Sequence, residues 1–391
     1  FGGDICSCPS IMARVFAVGL DLGGQETSLA VFDHKKQCST PLEIQSAKTI
    51  PTCVAVEPGG GTAPIVGKRA ETRSAKKCEG VLCAFRQMIY ASDKAWGQHR
   101  QDCEERWHFT MGQGSKDVPS YRVGGEDMGV DTVIEGVVEV ICTSLLDAAK
   151  PGGVLQVDES EAVEWGAFAV TVPECLTEKQ RQIIVSAVQG VAQRRLGGGV
   201  VVHALNETLC VALQFAMLPP MQPKVFMSVD LGASKLSVSA YELLQREVGV
   251  FRLVELASRT DVFCSGSAIE YRMMQWCEKR RPFQNSMLTS KPALFKLRKE
   301  IRQALKTLTV AEEATIEADN VVGGHDLQLV LTLEDFEHEC ADIFDSIASL
   351  VSSVLALSCR KCVPDCVLVG GAMRIPRAQR LLAQVLEAQG G

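Results

Sequence analysis

The 391-residue chain lacks any hydrophobic run of the roughly 18 residues that a membrane-spanning helix needs. The apolar stretch from Val137 to Leu146 is interrupted by Glu139 and Thr143. Positive charge is not in excess either, because the net charge at pH 7 is −7. A chain with this net charge lacks the excess of positive charge that is typical of proteins that bind nucleic acid or an anionic membrane. We therefore expect an ordinary globular protein that has neither a membrane nor specific DNA as its partner.

A secretory signal is not recognised, because the apolar piece from Val15 to Leu20 is short and runs directly into Asp21. This favours a cytoplasmic location. The 16 cysteines are scattered through apolar segments, which predicts reduced core thiols rather than a disulfide framework. Residues 1–11 precede the first methionine and show no periodic pattern, so we expect a leader or an artefact there.

An internal repeat is the most informative feature of the sequence. Residues 16–32 read FAVGLDLGGQETSLAVF, and residues 225–241 read VFMSVDLGASKLSVSAY. Each segment has a β-rich run that ends in aspartate, a turn containing glycine and a second alternating run, which is the pattern of a β-hairpin. Asp21 and Asp230 occupy the same place in the two copies. The sequence therefore predicts two similar domains that face each other across a cleft.

Strands and helices alternate through the rest of the chain, which favours α/β layers. A strand at 167–172 ends at Pro173, and a helix begins at Thr177, which forms a capping box with Gln180. Another helix is predicted from Ser290 and Pro292, with leucines at helical spacing. The other predicted elements are a strand at 200–204, a helix at 206–216, a long helix at 333–357, a strand at 366–369, a last helix from residue 376, and surface loops at 112–129 and 151–161.

An aspartate followed by glycine at a hairpin tip suits phosphate binding. Glycine permits close backbone approach, neighbouring N–H groups converge on phosphate oxygens, and the carboxylate can hold Mg²⁺ directly or through water. A single copy is more typical of an ordinary hairpin turn, but two copies after apolar strands favour a clamp for a nucleotide. Gly370 and Gly371 form a third glycine turn, where a helix N-terminus can face an anion or a base.

Five sequence blocks occur in a fixed order along the chain. They are VGLDLGG at 18–24, VTVP followed by QR at 170–181, NE at 206–207, VDLG at 229–232 and VLVGGAMRIP at 367–376, and WHF at 107–109 fits the same register. This order resembles the ATPase domain of the heat-shock protein 70 family, from about residue 15 to the C-terminus. The resemblance implies an α/β, actin-like ATPase fold of the duplicated ribonuclease H-like type, with two lobes around a cleft for ATP or ADP and Mg²⁺.

The resemblance also assigns roles to individual residues. Pro173 matches the family's hinge proline. The implied catalytic residues are Asp21, Arg86, Glu207 and Asp230, of which Asp21, Glu207 and Asp230 would hold Mg²⁺ through water. The implied nucleotide-binding residues are Gly23, Gly24, Gln25, Gly232, Ala233, Ser234, Lys235, Gly266, Lys306, Thr309, Gly371, Ala372 and Arg374.

The chain departs from the family pattern in the two phosphate loops. Gly24 and Gln25 stand where the family has two threonines, and Lys235 and Ser237 stand where it has threonine and aspartate. Arg86 replaces the loop lysine and keeps a cation with a different geometry. Loss of one donor aimed at developing charge commonly costs ~3–4 kcal/mol, or about 10²–10³ in rate. We therefore expect ATP binding with weak or absent hydrolysis, a pattern similar to the ribosome-associated Ssz-type branch.

The adenosine side departs as well, because SGSA at 265–268 replaces the family's GGED and Lys306 replaces an arginine. We expect lobe I at 12–205 and lobe II at 206–391, with a helical subdomain at about 262–335, a truncated C-terminus and no peptide-binding domain. The resemblance implies as partners a J-domain co-chaperone, a nucleotide-exchange factor, the ribosome, and an unfolded or nascent polypeptide bound through a domain absent here.

Two other functions stay open. One is a competent chaperone ATPase that uses Arg86 and Lys235 in place of the missing groups, and the other is a nucleotide-free interaction scaffold. A sugar kinase on the same fold fits less well, because VTVP followed by the QR helix is the heat-shock pattern.

Three further features carry less weight. The cysteines at 359, 362 and 366 have metal-ligand spacing but no visible fourth ligand. His338 stands alone, which favours a structural or surface role. The basic face of the helix from Lys296 to Lys306 is better explained as a solvated face than as an RNA contact.

Overall fold

The structure is a computed structural model that describes residues 13–59, 63–73, 75–90, 97–112, 118–247, 249–358 and 365–388. The predicted leader at 1–11, and the cysteines at 359 and 362, lie outside these residues. Among the described residues, no single helix is both long enough and apolar enough to cross a membrane, although the bent pair Leu333–Glu339 and Ala341–Leu357 would together meet those two criteria.

The N-terminal half is built around one large sheet. Its elements are β1 (Arg14–Leu22), β2 (Glu26–Asp33), β3 (Cys38–Leu42), β4 (Thr49–Pro51), β5 (Val54–Ala55), β6 (Ile65–Val66), α1 (Lys68–Glu71), β7 (Val81–Leu82), α2 (Phe85–Tyr90), α3 (Gly97–Arg106), β8 (Thr110–Met111), β9 (Ser120–Val123), β10 (Glu126–Gly129), α4 (Asp131–Ala148), β11 (Val163–Val172), α5 (Glu178–Leu196) and β12 (Val201–Asn206). A short 3₁₀ helix at Ala75–Gly80 precedes β7.

The C-terminal half has a second sheet and most of the remaining helices. Its elements are α6 (Glu207–Ala216), β13 (Lys224–Leu231), β14 (Leu236–Glu247), β15 (Val250–Asp261), α7 (Gly266–Arg280), α8 (Lys291–Thr307), β16 (Glu313–Val322), β17 (His325–Thr332), α9 (Leu333–Glu339), α10 (Ala341–Leu357), β18 (Asp365–Val369) and α11 (Pro376–Ala388). A 3₁₀ helix at Gly371–Arg374 separates β18 from α11.

The two sheets share one connectivity, so the duplication predicted from the repeat is present in the fold. The first has the strand order β12-β11-β1-β2-β3, with β4 also beside β2, and the second has the order β15-β14-β13-β18. In each sheet three consecutive strands are antiparallel, and a later strand returns to lie parallel to the first of them. Each sheet therefore presents the tip of its first hairpin at the carboxyl end of its central parallel strand.

Each sheet packs against helices to form its own hydrophobic core. The first core contains buried residues from Phe16 to Val202, together with Val262, and the second runs from Met227 to Leu382. The predicted helix starts are present, because Thr177 and Gln180 form a capping box at α5 and the Ser290 side chain accepts the Ala293 N–H at α8. An N-cap of this kind contributes about 1 kcal/mol to helix stability.

Three predictions about the elements need correction. The loop predicted at 112–129 contains the hairpin β9–β10, whose turn places Gly124 and Gly125 at positive φ. The long helix predicted at 333–357 breaks at Cys340 into α9 and α10, and the chain bends by 63° between these two helices. This break lets Phe336 and Phe344 pack edge to face at 5.8 Å inside the core. The subdomain predicted as helical at 262–335 also contains the hairpin β16–β17.

Candidate functional site

The tips of two equivalent hairpins meet at the candidate site. In the β1–β2 hairpin Asp21 pairs with Ser28, and in the β13–β14 hairpin Asp230 pairs with Ser237, so both aspartates stand at the same register position. The tips touch across the cleft, since a Cβ built on Gly24 would lie 3.0 Å from the Ser234 Cβ atom. The two loops that the repeat predicted to face each other are therefore in direct contact.

Arg86 approaches the tips from lobe I. Arg86 lies in the first turn of α2. Ala84, the residue before this helix, has a φ of 55°, which turns the chain into the helix. The guanidinium is buried, donates to the Leu22 carbonyl oxygen and forms an ion pair with Glu207. Burial alone lowers the pKa of Arg86, but the attraction of Glu207 and Asp21 outweighs it and raises the pKa.

Lys235 approaches from lobe II and ends among carboxylates. Its side chain is 1% exposed, and its Nζ atom lies 3.3 Å from Glu174 Oε1, 3.2 Å from Glu207 Oε2 and 3.8 Å from Asp230 Oδ2. The ammonium also donates to the Ser237 hydroxyl. Burial opposes the charge, but the surrounding carboxylates outweigh it and raise the pKa of Lys235. Lys235 is therefore a fixed, buried cation at neutral pH.

The carboxylates respond differently to this environment. Burial raises the pKa of Asp21, which Arg86 offsets only in part, and the Thr171 hydroxyl donates to Asp21 Oδ1 at 2.7 Å. Burial also raises the pKa of Asp230, to about 6, despite the nearby Lys235. For Glu207 burial acts in the same direction, but the charges of Arg86 and Lys235 outweigh it and lower the pKa. Glu207 is thus the most firmly ionised of the three.

The third glycine turn lies against the second hairpin tip. Gly370 has a φ of 87°, and a Cβ built on it would lie 2.2 Å from the Leu231 carbonyl oxygen, so only glycine fits there. At the start of α7, the Gly266 N–H donates to the Gly232 carbonyl at 2.9 Å. A Cβ built on Gly266 would lie 3.9 Å from the Ala372 Cβ atom. The structure therefore brings Gly266 and Ala372 to the second tip.

The remaining residues predicted on the adenosine side lie further out. Lys306, Gly371 and Arg374 are exposed, and Thr309 is half-buried. The Thr309 hydroxyl donates to the Lys306 carbonyl oxygen at 2.7 Å, which fixes the C-terminal end of α8. Contact of these four residues with a nucleotide stays a prediction.

Comparison with known proteins identifies the fold and the cleft. The family model described as "Hsp70 protein" matches residues 17–390. The chain belongs to the Hsp70 family. Its cleft is accordingly that of an Hsp70 nucleotide-binding domain, and the predicted actin-like ATPase fold is confirmed.

Similar Hsp70 proteins from fungi match nearly the whole chain. "Heat shock 70 kDa protein" of Neurospora crassa is 27% identical over 381 residues, covering 94% of this chain and 54% of the relative. A protein of the same description from Emericella nidulans is 26% identical over 376 residues, with 94% and 54% covered. "Heat shock 70 kDa protein 2" of Paracoccidioides lutzii is 26% identical over 384 residues, with 94% and 53% covered. The chain spans about half the length of these relatives.

Hsp70 proteins in general bind ATP or ADP with Mg²⁺. Both carboxylate oxygens of Glu207 already contact cations, one on Arg86 and one on Lys235. Lys235 also lies beside Asp230. Within the described part of the chain, no three His, Cys, Asp or Glu side chains form a ready-made metal site. Because Glu207 and Asp230 lie against these cations, they do not fit the predicted role of binding Mg²⁺.

Two site residues were missed by the sequence prediction. Glu174 follows the hinge proline and accepts from Lys235 and from the Thr260 hydroxyl, the latter at 3.0 Å. Gln87 follows Arg86, and its amide donates to the Ala233 carbonyl at 3.4 Å and to the Ser267 hydroxyl at 3.2 Å. The only sequence signal for either was its position next to a predicted site residue.

A buried ion network joins the lobes beside the cleft, and it corrects the expected solvated face of α8. Arg298 and Arg302 both bind Glu270, at 2.7 Å and 2.6 Å. The Arg298 guanidinium lies over the Trp107 ring at 3.8 Å, a cation–π contact with lobe I. Arg298 and Glu270 are almost fully buried, whereas Lys299 on the same helix is exposed. The two arginines were expected in solvent because helical periodicity does not reveal a partner on another helix.

Replacing Asp230 with asparagine is expected to stabilise the protein at pH 8 and to change little at pH 4. The folded-state pKa of about 6 exceeds the ordinary value of ~3.9, so the folded protein binds this proton more tightly than the unfolded chain does. Ionised Asp230, which faces Lys235, Glu207, Glu174 and Arg86, therefore lowers the free energy of unfolding above pH 6. The penalty disappears as pH falls towards 4.

At about 1.4 kcal/mol per pKa unit, the gain from Asp230→Asn at pH 8 is at most about 3 kcal/mol. Urea unfolding of wild type and variant at pH 4, 6 and 8 measures it. A gain that is equal at all three pH values, or largest at pH 4, would contradict the assigned environment of Asp230.

Proposed function

We propose that this chain is the ATP-binding domain of an Hsp70-like chaperone or co-chaperone that assists protein folding and hydrolyses ATP weakly or not at all. ATP or ADP lies in the cleft between the lobes, with its phosphates at the two hairpin tips. Among the hydrogen bonds of the described residues, none uses the backbone N–H groups of Gly24, Gln25, Ala233 or Ser234. Such N–H groups at a glycine-containing turn suit phosphate oxygens.

The observation that carries the proposal is that both cations at the tips are already bonded to protein carboxylates. Arg86 is paired with Glu207, and Lys235 with Glu174 and Glu207. Transition-state stabilisation needs donors that are aimed at the charge developing on the terminal phosphate. Here the positive charges of Arg86 and Lys235 are already neutralised by protein carboxylates. The loop hydroxyls expected for the family are also replaced, at Gly24, Gln25 and Lys235. Binding then depends on backbone N–H groups and the cleft walls.

Within this proposal the site residues act without Glu207 or Asp230 holding Mg²⁺. Asp21, with one oxygen held by Thr171, is the carboxylate at the first tip and is the group left to orient water there. Arg86, Glu207 and Asp230 set the charge of the cleft. The proposed phosphate contacts are Gly23, Gly24, Gln25, Gly232, Ala233, Ser234 and, through its backbone, Lys235. The proposed adenosine contacts are Gly266, Lys306, Thr309, Gly371, Ala372 and Arg374.

Two measurements on the purified protein test the proposal. Calorimetric titration with ATP is expected to show one saturable site, and single-turnover mixing with labelled ATP is expected to show hydrolysis slower than that of a typical Hsp70 by at least about 10². Turnover at the usual family rate that disappears in Arg86→Ala would instead establish a competent ATPase. No heat of binding for ATP or ADP would exclude nucleotide binding altogether.

A nucleotide-free interaction scaffold is the second candidate, and a specific observation favours it. The lobes are already bridged by protein groups, since the Lys291 ammonium of lobe II donates to the Glu104 and Trp107 carbonyl oxygens of lobe I at 2.7 Å and 2.9 Å. Closure of the cleft then needs no nucleotide. Identical small-angle scattering profiles with and without saturating ATP would favour the scaffold, and a change on binding would favour the nucleotide-responsive domain.

The partners belong to the same proposal. Hsp70 proteins generally work with J-domain proteins and nucleotide-exchange factors, and we propose both classes for this chain. Association with ribosomes and a place in the Ssz-type branch rest on the loop substitutions alone, whereas a nascent or unfolded polypeptide as client rests on the family. A cytoplasmic location is proposed because Hsp70 homologues are commonly cytosolic.

A further inference from the structure

The ammonium group of Lys235 occupies the centre of the acidic cluster. Glu174, Glu207 and Asp230 surround it at 3.3 Å, 3.2 Å and 3.8 Å, although they come from three separate elements. Glu174 follows β11, Glu207 begins α6 and Asp230 lies near the end of β13. Residues brought together from such distant parts of the chain around one cation form a cation-binding site whose occupant is a side chain.

Neighbouring groups hold this side chain in place. Lys235 is 1% exposed, and its ammonium donates to the Ser237 hydroxyl, which in turn lies 3.1 Å from the Thr260 hydroxyl. Thr260 also donates to Glu174, so the lysine and its carboxylate partner share one hydrogen-bonded network. A side chain that is buried and bonded on several sides cannot turn aside without leaving Glu174 and Asp230 without their ion-pair partner.

The distances in the cluster fit an ammonium rather than a directly coordinated metal ion. Direct Mg²⁺ coordination requires oxygens at ~2.0–2.1 Å, and Mg²⁺ usually keeps several of its waters. The carboxylate oxygens here stand 3.2–3.8 Å from Nζ, too far for direct coordination of an ion at that point. The oxygens of Glu174 and Glu207 lie within hydrogen-bonding distance of the ammonium, and Asp230 lies close enough for an ion pair.

We propose that the Lys235 ammonium takes the place of the divalent cation in this cleft, so that Glu174, Glu207 and Asp230 bind no Mg²⁺ in the native protein. A consequence, which rests on the proposed function, is that ATP gains no affinity from Mg²⁺. Lys235 thereby makes nucleotide binding independent of Mg²⁺.

Titration of the nucleotide-free protein with Mn²⁺ tests the first statement, because the paramagnetic resonance signal of free Mn²⁺ is lost when the ion binds protein. Wild type and the charge-matched control Lys150→Thr, whose lysine pairs with Asp147 on the surface, are expected to leave the signal unchanged. Lys235→Thr empties the centre of the cluster and is expected to bind one Mn²⁺, with affinity at least about tenfold above wild type.

Two results would overturn the proposal. One is a tight Mn²⁺ site in wild type that Glu207→Gln weakens, and the other is no gain of Mn²⁺ binding in Lys235→Thr. If Lys235→Thr does not fold without metal, recovery of its circular dichroism on adding Mn²⁺ supports the proposal. If it folds under neither condition, the double variant Lys235→Thr/Glu174→Gln, which has one carboxylate fewer, is titrated with Mn²⁺ instead. A gain of Mn²⁺ binding then supports the proposal, and no gain overturns it.

Calorimetric titration of wild type with ATP, once in excess EDTA and once in Mg²⁺, tests the consequence. Equal affinities support it, and a loss of about tenfold or more in EDTA contradicts it. No binding in either buffer would remove the proposed nucleotide function, whereas the Mn²⁺ result on the nucleotide-free protein would still decide the role of Lys235.

Discussion

Lys235→Met is expected to lower the free energy of unfolding by about 3–5 kcal/mol at pH 8, the range for breaking a buried ion pair by removing one partner. Methionine keeps the length and the apolar stem of lysine, so packing is nearly preserved. The loss then reports on the carboxylates of Glu174, Glu207 and Asp230, which are left mostly buried and without their central cation.

The pH dependence separates this electrostatic effect from a packing defect. The pKa of Asp230 is about 6 with Lys235 present, and loss of the lysine charge raises it further. At pH 5 this carboxylate therefore carries a proton, and the repulsion within the emptied cluster declines. The deficit of Lys235→Met should therefore be smaller at pH 5 than at pH 8. Urea unfolding in EDTA measures both values, with Lys150→Met as the surface control. A deficit below about 1 kcal/mol, typical of an exposed ion pair, would show that Lys235 is solvated.

Glu270→Gln is expected to cost about 3 kcal/mol or more of stability, because it removes the carboxylate that binds both Arg298 and Arg302. Arg302 then keeps Glu71 at 3.5 Å, whereas Arg298 has no other ion pair among the described residues. Burial lowers the pKa of Arg298, whose charge Glu270 compensates. Without Glu270 the two guanidinium groups repel each other at the lobe interface, where Arg298 contacts Trp107 and the Arg106 carbonyl oxygen.

The matched control for Glu270→Gln is Glu300→Gln on the outer face of α8. Glu300 lies 3.8 Å from the exposed Lys299, so its loss should change stability by less than about 0.5 kcal/mol. Urea unfolding curves of both variants make the comparison. Equal effects for the two substitutions would contradict the claim that Glu270 organises a buried network.

The parts of the site that the sequence predicted are the parts encoded locally. Asp21, Gly24, Asp230 and Lys235 lie in short segments whose turn chemistry and repeat are visible without a structure. The register of each hairpin follows from its alternating pattern, and this brings the two tips into equivalent positions. The repeated hairpin pattern was therefore sufficient to predict that the two tips face each other at the cleft.

The partners of those residues could not be predicted, because they come from distant parts of the chain. Lys235 meets Glu174 across 61 positions, and Arg298 meets Glu270 across 28 positions. Propensity and periodicity describe one element at a time, so they favoured a solvated face for α8. The break at Cys340 was missed for the same reason, since the packing of Phe336 on Phe344 decides it.

Anomalous diffraction from crystals grown with excess Mn²⁺ and ATP tests the central claim most directly. We predict that Lys235 Nζ lies within hydrogen-bonding distance of Glu174 and Glu207, with no manganese peak among Glu174, Glu207 and Asp230. A manganese peak among these three carboxylates, with the lysine side chain displaced from them, would contradict it.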